Sequence, residues 1–109
     1  PAWLRAVLET AVRGLPHAYR DAAAPAGTEV RLDVSGPSGG SWTVRRDADR
    51  WSIREGGDSE AAATVSLSDQ DAWRLLFNAL SPEQAARAAR IHGDAGLAAP
   101  LLRARSVIL

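Results

Sequence analysis

The sequence has no cysteine and no methionine, and only one tyrosine and one phenylalanine. Without cysteine, disulfides, thiolate metal centres and a cysteine nucleophile are excluded within the chain. Lysine is missing as well, since all 13 Lys+Arg positions are arginine, and Schiff-base chemistry goes with it. Thirteen acidic residues balance those 13 cations, so no net field steers the chain toward nucleic acid or anionic lipid. No apolar run approaches the roughly 18 residues that a membrane span needs. No signal-peptide pattern is readable either, and a cytoplasmic location is the expectation. Abundant Arg, Ala and Gly without Lys look like the coding bias of a GC-rich, actinobacterial-like genome. The sequence opens at Pro1, which fits a fragment of a longer polypeptide or a chain whose initiator was removed.

The residues that are present suit a single domain over 1–109. Of the 109 residues, 46% are hydrophobic and 24% charged, enough to bury a core at this length. Leu4, Leu8, Ala11, Val12 and Leu15 recur at helical spacing, with Trp3 and Val7 widening the stripe, and predict a helix over about 2–15 ended by Gly14 and Pro16. An irregular connection is expected from there to Gly27. Strict alternation then predicts strands over about 29–35, 41–46 and 50–54, with Val30, Leu32, Val34, Trp42, Val44, Trp51 and Ile53 facing one way. The turns at Gly36–Gly40 and Asp47–Arg50 make these an antiparallel meander. A fourth strand over about 63–67 carries Ala63, Val65 and Leu67.

Two helix starts follow. Ser68 with Asp71 three residues on has the form of a capping box and opens a helix over about 69–79. Ser81-Pro82-Glu83-Gln84 opens another over about 82–88, with proline at the first helical position. A brief fifth strand over about 89–92 and an Asp94 N-cap lead to a last helix over about 95–107. Pro100 lies inside it, and an interior proline costs about 3 kcal/mol, which predicts a kink or a later start. The fold class is α+β: a five-stranded, largely antiparallel sheet with helices packed on one face.

None of the usual catalytic constellations is assembled. His17 and His92 are the only histidines, and a metal site needs three or four convergent ligands. There is no G-x-S-x-G elbow for serine chemistry. The turn at Gly36–Gly40 is not a phosphate-binding G-x-G-x-x-G, and Asp47, Asp49, Asp58 and Glu60 do not form a calcium loop. Arg45, Arg46, Arg50 and Arg54 read as a solvated sheet face offset by acidic neighbours, not a nucleic-acid site. No catalytic residue, metal ligand or cofactor is assigned, and no reaction for this chain alone.

The aromatic set is the strongest functional cue. Trp42, Trp51, Trp73 and Phe77 all point inward by periodicity, and Leu101 does so from the last helix. They either fill the core or line an apolar cavity between sheet and helices. Both readings demand the same residue types.

Residues 62–102, with the strand Ala63-Thr64-Val65-Ser66-Leu67, the helix opening at Ser68 and the element Ile91-His92-Gly93-Asp94 before Leu97, resemble the C-terminal half of sterol carrier protein type 2 domains. Leu15-Pro16-His17-Ala18-Tyr19-Arg20, the Gly-rich hairpin before Trp42, and Ala72-Trp73-Arg74-Leu75 resemble the C-terminal domain of mycothiol-dependent maleylpyruvate isomerase-type proteins, which is similar to sterol carrier proteins in fold. Together these likenesses cover about residues 3–108. They imply a non-catalytic binding or interaction module, with Trp42, Trp51, Trp73, Phe77 and Leu101 lining a cavity for a small apolar ligand such as a lipid. They also imply docking to a DinB-like helical domain, which in that family carries the metal centre, through Trp3, Leu4, Val7, Leu8, Arg74 and Arg90. An alternative within the resemblance is half of a thiol-dependent isomerase or transferase, with Arg74 or Arg90 reaching a substrate carboxylate across the domain junction. A self-associating homodimer through the Trp3–Leu8 face is the third reading.

Overall fold

Alternation decides which way each strand faces, and the computed structural model, which describes residues 2–57, 61–76 and 81–102, shows what each face meets. Strands β1 (Glu29–Ser35), β2 (Gly40–Arg46), β3 (Trp51–Glu55), β4 (Ala63–Ser68) and β5 (Arg90–Gly93) form one sheet in the order β3-β2-β1-β4-β5. Val30 pairs in register with Val44 and Ala63, and Leu32 with Trp42 and Val65. These side chains therefore build one continuous buried face, as the period of two requires.

The sheet is largely antiparallel, as expected, with one parallel pair at its centre. β1–β2, β2–β3 and β4–β5 are antiparallel, but β4 lies parallel to β1. The sheet is mixed. Period-two patterning fixes which face a strand buries but carries no sign for strand direction, so the parallel pair was not legible in it.

The helices cover the apolar face. Helix α1 (Ala2–Val12) buries Leu4, Leu8, Ala11 and Val12, and a short second helix, α2 (Leu15–Ala18), buries Leu15. The first helix thus stops at Val12, and the stretch expected to be irregular after Pro16 begins as helix. Proline is tolerated there because the first turn of a helix has no intrahelical use for its N–H. Helix α3 (Asp69–Leu76) starts after Ser68, whose Oγ accepts from the Asp71 N–H at 3.1 Å. Helix α4 (Pro82–Ala88) has a complete capping box. The Gln84 N–H donates to Ser81 Oγ at 3.1 Å, and the Ser81 N–H donates to Gln84 Oε1 at 2.9 Å.

Helix α5 (Ala95–Leu102) begins directly after Asp94, whose Oδ1 accepts from the Gly96 and Leu97 N–H groups, and it runs on through Pro100. The proline does not delay the start. It leaves α5 without one of its internal hydrogen bonds. The Tyr19 hydroxyl, reaching across from the end of α2, donates to the Leu97 carbonyl at 2.5 Å. The ends of the helices expected over 69–79 and 95–107, at 77–79 and 103–107, lie outside the described residues.

The opposite sheet face is polar and held by ion pairs. Glu29 accepts from Arg54 at 3.0 Å and faces Arg45 at 3.6 Å, while Arg31 pairs with Asp33 at 2.7 Å. Arg45 and Arg54 are thus paired on a solvated face.

Two glycines hold close backbone approaches. Gly93 has φ +85°, and a Cβ there would stand 2.3 Å from the Ala62 carbonyl oxygen. Gly93→Ala is therefore expected to lower stability by at least about 1–2 kcal/mol from the left-handed backbone alone. Urea unfolding would register this as a lower midpoint at unchanged slope. Gly36 has φ +103°, and its missing Cβ leaves room for the Asp69 carboxylate, which accepts from the Ser38 N–H at 3.1 Å. That bond ties the start of α3 to the β1–β2 turn.

Candidate functional site: the layer between sheet and helices

Leu15, Leu32, Leu67, Ala72, Leu75 and Leu101 converge from α2, β1, β4, α3 and α5 on a void of ≈ 10 Å³ with an entirely apolar lining. Such a space is at the lower limit for one water molecule and offers it no hydrogen-bond partner.

A second concavity opens at the surface between α1 and the β2–β3 hairpin. It measures ≈ 210 Å³ and is lined by Glu9, Val12, Arg13, Trp42, Ile53, Arg54 and Glu55. Its floor is apolar and its rim carries both signs of charge. Beside it, the Arg5 guanidinium donates to Glu9 at 2.9 Å, to Glu55 at 2.6 Å and to the Gly39 carbonyl, and it lies 5.2 Å from the centroid of the Trp42 ring. Hydrogen bonding to Glu9 raises the Arg5 pKa above its ordinary value; desolvation opposes the rise and Glu55 adds to it. The side chain therefore stays cationic at neutral pH.

The aromatic residues singled out by periodicity occupy three separate places. Trp42 floors the surface cleft. Trp51 packs on Tyr19 with ring centroids 4.9 Å apart, and its indole N–H donates to the Ala22 carbonyl at 3.3 Å. Trp73 is half-buried and meets Trp3 edge-on at 5.9 Å on the outer side of α1 and α3. Ala72 and Leu75 take the inward face of α3, and one residue along a helix turns about 100° away from it. Phe77 lies outside the described residues. Leu101 does line the interior void. The other lining positions belong to the apolar faces of α2, β1, β4 and α3, but nothing local distinguishes them from ordinary core residues.

The residues considered for an interface also separate. Leu4 and Leu8 are buried within the domain's own core, because they sit on the face that α1 lays on the sheet; Trp3, 58% exposed, and half-buried Val7 remain at its open edge. Arg74 is exposed and pairs with Asp71 at 3.8 Å. Exposed Arg90 lines a shallow groove of ≈ 530 Å³ with Asp33, Ser35, Ser66, Ser68 and Asp71. His17 and His92 are exposed on α2 and β5. Among the described residues no group of three or more His, Cys, Asp or Glu is placed to hold a metal ion, and no helix is long and apolar enough to cross a membrane.

A mixed five-stranded sheet in this order, covered on one face by helices around an apolar layer, has known counterparts. The family model described as the SCP-2 sterol transfer family matches residues 8–103. The chain belongs to the SCP-2 sterol transfer family. Among solved structures it is similar to sterol carrier protein 2-like 2 from Aedes aegypti, with a TM-score of 0.68, 18% identity, and 92% of this chain and 94% of that chain covered. The palmitated form of that protein in solution matches with a TM-score of 0.66, 17% identity, and 91% and 94% covered. Sterol carrier protein 2 from Aedes aegypti in complex with palmitate matches with a TM-score of 0.57, 13% identity, and 91% and 94% covered. At these identities the likeness is one of fold. A search of the curated proteins finds no match. The SCP-2 fold accounts for the α+β class expected from the strand and helix patterning and for the sterol carrier resemblance of residues 62–102.

Proposed function

We propose that this SCP-2 domain is a non-catalytic carrier that takes one apolar ligand, an acyl chain or a sterol, between the inner sheet face and helices α3 and α5. The observation that carries this reading is the interior void, which among the described residues has an entirely apolar lining where α2, β1, β4, α3 and α5 meet. Membership of the SCP-2 sterol transfer family supports it, as do relatives of the same fold solved with palmitate.

The void must expand to accept a ligand, since ligand pockets measure about 300–1,000 Å³. Helix α5 is suited to move: it has no charged side chain over its described length, and Pro100 weakens its internal bonding. Outward displacement of α5 would carry Leu101 off the sheet and break the Tyr19–Leu97 hydrogen bond. Native mass spectrometry of delipidated protein with palmitate tests the proposal. A one-to-one complex that survives gentle desolvation is expected; a folded protein that retains neither palmitate nor cholesterol would contradict it.

A second reading, docking of a DinB-like helical domain or of a second copy, is favoured by one observation. Trp3 is largely exposed and stacks edge-on against Trp73, which leaves an aromatic pair at the open edge of α1. The narrower kinship with mycothiol-dependent isomerases belongs to this reading, in which the chain would supply a binding surface and the helical domain the metal chemistry.

A further inference from the structure

We infer that the cleft between α1 and β3 is the portal to the interior site, with the Trp42 indole as its gate and Arg5 as the latch that holds the gate shut. This rests on the interior being the ligand site proposed above.

The linings of the cleft and the void adjoin in two places. On the sheet, Trp42 floors the cleft while Leu32, its partner in register on β1, lines the void. Side chains directly opposite on neighbouring strands stand about 5 Å apart. On the helical side, Val12 lines the cleft and Leu15, three residues on, lines the void. A ligand chain resting on Val12, Ile53 and Trp42 thus meets the Trp42 indole, only 4% exposed, as the partition in front of Leu32.

Arg5 fixes that partition. Its guanidinium lies over the indole and is bonded to α1 through Glu9, to the β1–β2 turn through the Gly39 carbonyl and to the end of β3 through Glu55. One cation therefore joins α1 and β3, which flank the cleft, and ties both to the β1–β2 turn. A cation held over an aromatic face by charge-assisted bonds resists displacement of the ring. The room for this close approach comes from Gly40, where a Cβ would stand 2.6 Å from the Arg5 guanidinium. No comparable clamp is needed for packing alone, because Val44, Leu32 and Val65 already bury the centre of the sheet.

Stopped-flow energy transfer from tryptophan to cis-parinaric acid, a fluorescent polyene fatty acid, measures uptake and release separately. Arg5→Met removes the charge and keeps much of the apolar stem, and is expected to raise both rates by about tenfold, with their ratio changing less than either. Glu55→Gln, which loosens a single contact of an exposed carboxylate, is expected to accelerate both by a smaller factor and guards against loss of fold in the first variant. Ile53→Trp fills the cleft from its outer edge and is expected to slow both. Arg50→Ala, at the exposed hairpin turn, serves as the control with unchanged rates. Unchanged rates in folded Arg5→Met, Glu55→Gln and Ile53→Trp, with binding intact, would overturn the portal while leaving the interior site standing. A wild-type protein that takes up no cis-parinaric acid at equilibrium would overturn the interior site and the portal with it.

Discussion

Leu32→Ala is expected to lower the free energy of unfolding by about 2–5 kcal/mol. Leu32 sits at 2% exposure on the central strand, between Trp42 and Val65 in register and against the void that Leu67, Leu75 and Leu101 share. Truncation removes three buried carbons and leaves a cavity beside one that exists already. Its strand neighbours Trp42, Val65 and Leu67 belong to a hydrogen-bonded sheet and cannot collapse inward at little cost, which keeps the effect out of the lowest part of that range. A domain of this size is stable by about 5–15 kcal/mol, so the loss is a large share of the whole. Urea unfolding measures it as a midpoint lower by about 1–3 M at unchanged slope. A loss under about 1 kcal/mol would mean that the layer around Leu32 is already loose in the free protein, against the packing described here.

The second large effect concerns loading. A ligand bound only by the folded state at a hundredfold excess over its Kd adds about 2.7 kcal/mol to stability. The wild-type domain with palmitate is expected to gain an increment of that order. Ala72→Leu is expected to abolish most of it. Ala72 is fully buried on the inward face of α3 and lines the void, so the larger side chain occupies the space the ligand would take. Overpacking itself costs about 1–3 kcal/mol, which is why the comparison is made within each protein, with and without palmitate. An Ala72→Leu domain that gained as much as wild type would place the ligand elsewhere.

These expectations rest on elements that differed in how far the sequence revealed them. Strand faces were readable because burial on one side forces alternation: Val30-Arg31-Leu32-Asp33-Val34 leaves one choice of inward set. Ser81 and Gln84 marked the start of α4 because orphan N–H groups at a helix end need partners. The parallel pairing of β4 with β1 was not readable, since alternation is blind to direction. The expected convergence of the tryptophans did not form at one point. Periodicity says that Trp42 and Trp51 face inward, but not that they sit far apart along the hairpin, Trp42 opposite Glu55 and Trp51 opposite Arg46. Arg5 gave no signal at all. Its role depends on Gly39, Trp42 and Glu55, which are brought to it by the fold from 34 to 50 positions away.

The lining of the interior void was partly legible. Leu101 was recognisable from the helical period of the last helix. Leu15, Leu32, Leu67 and Leu75 looked like ordinary core residues, and all four are buried. If the interior is the ligand site proposed above, what separates it from a filled core is how readily α5 leaves the sheet, and no residue type encodes that by itself.

The central claim is that an apolar chain lies between the inner sheet face and α3 and α5. Its most direct test is a solution experiment with 13C-labelled palmitate bound to the protein, observing magnetisation transfer from the acyl chain to leucine methyl groups. Contacts to Leu32, Leu67, Leu75 and Leu101 are expected together, with loss of protection at the Leu101 amide as α5 shifts. Contacts confined to the surface around Trp3 and Trp73, with the Leu32 and Leu101 methyl groups silent, would contradict it.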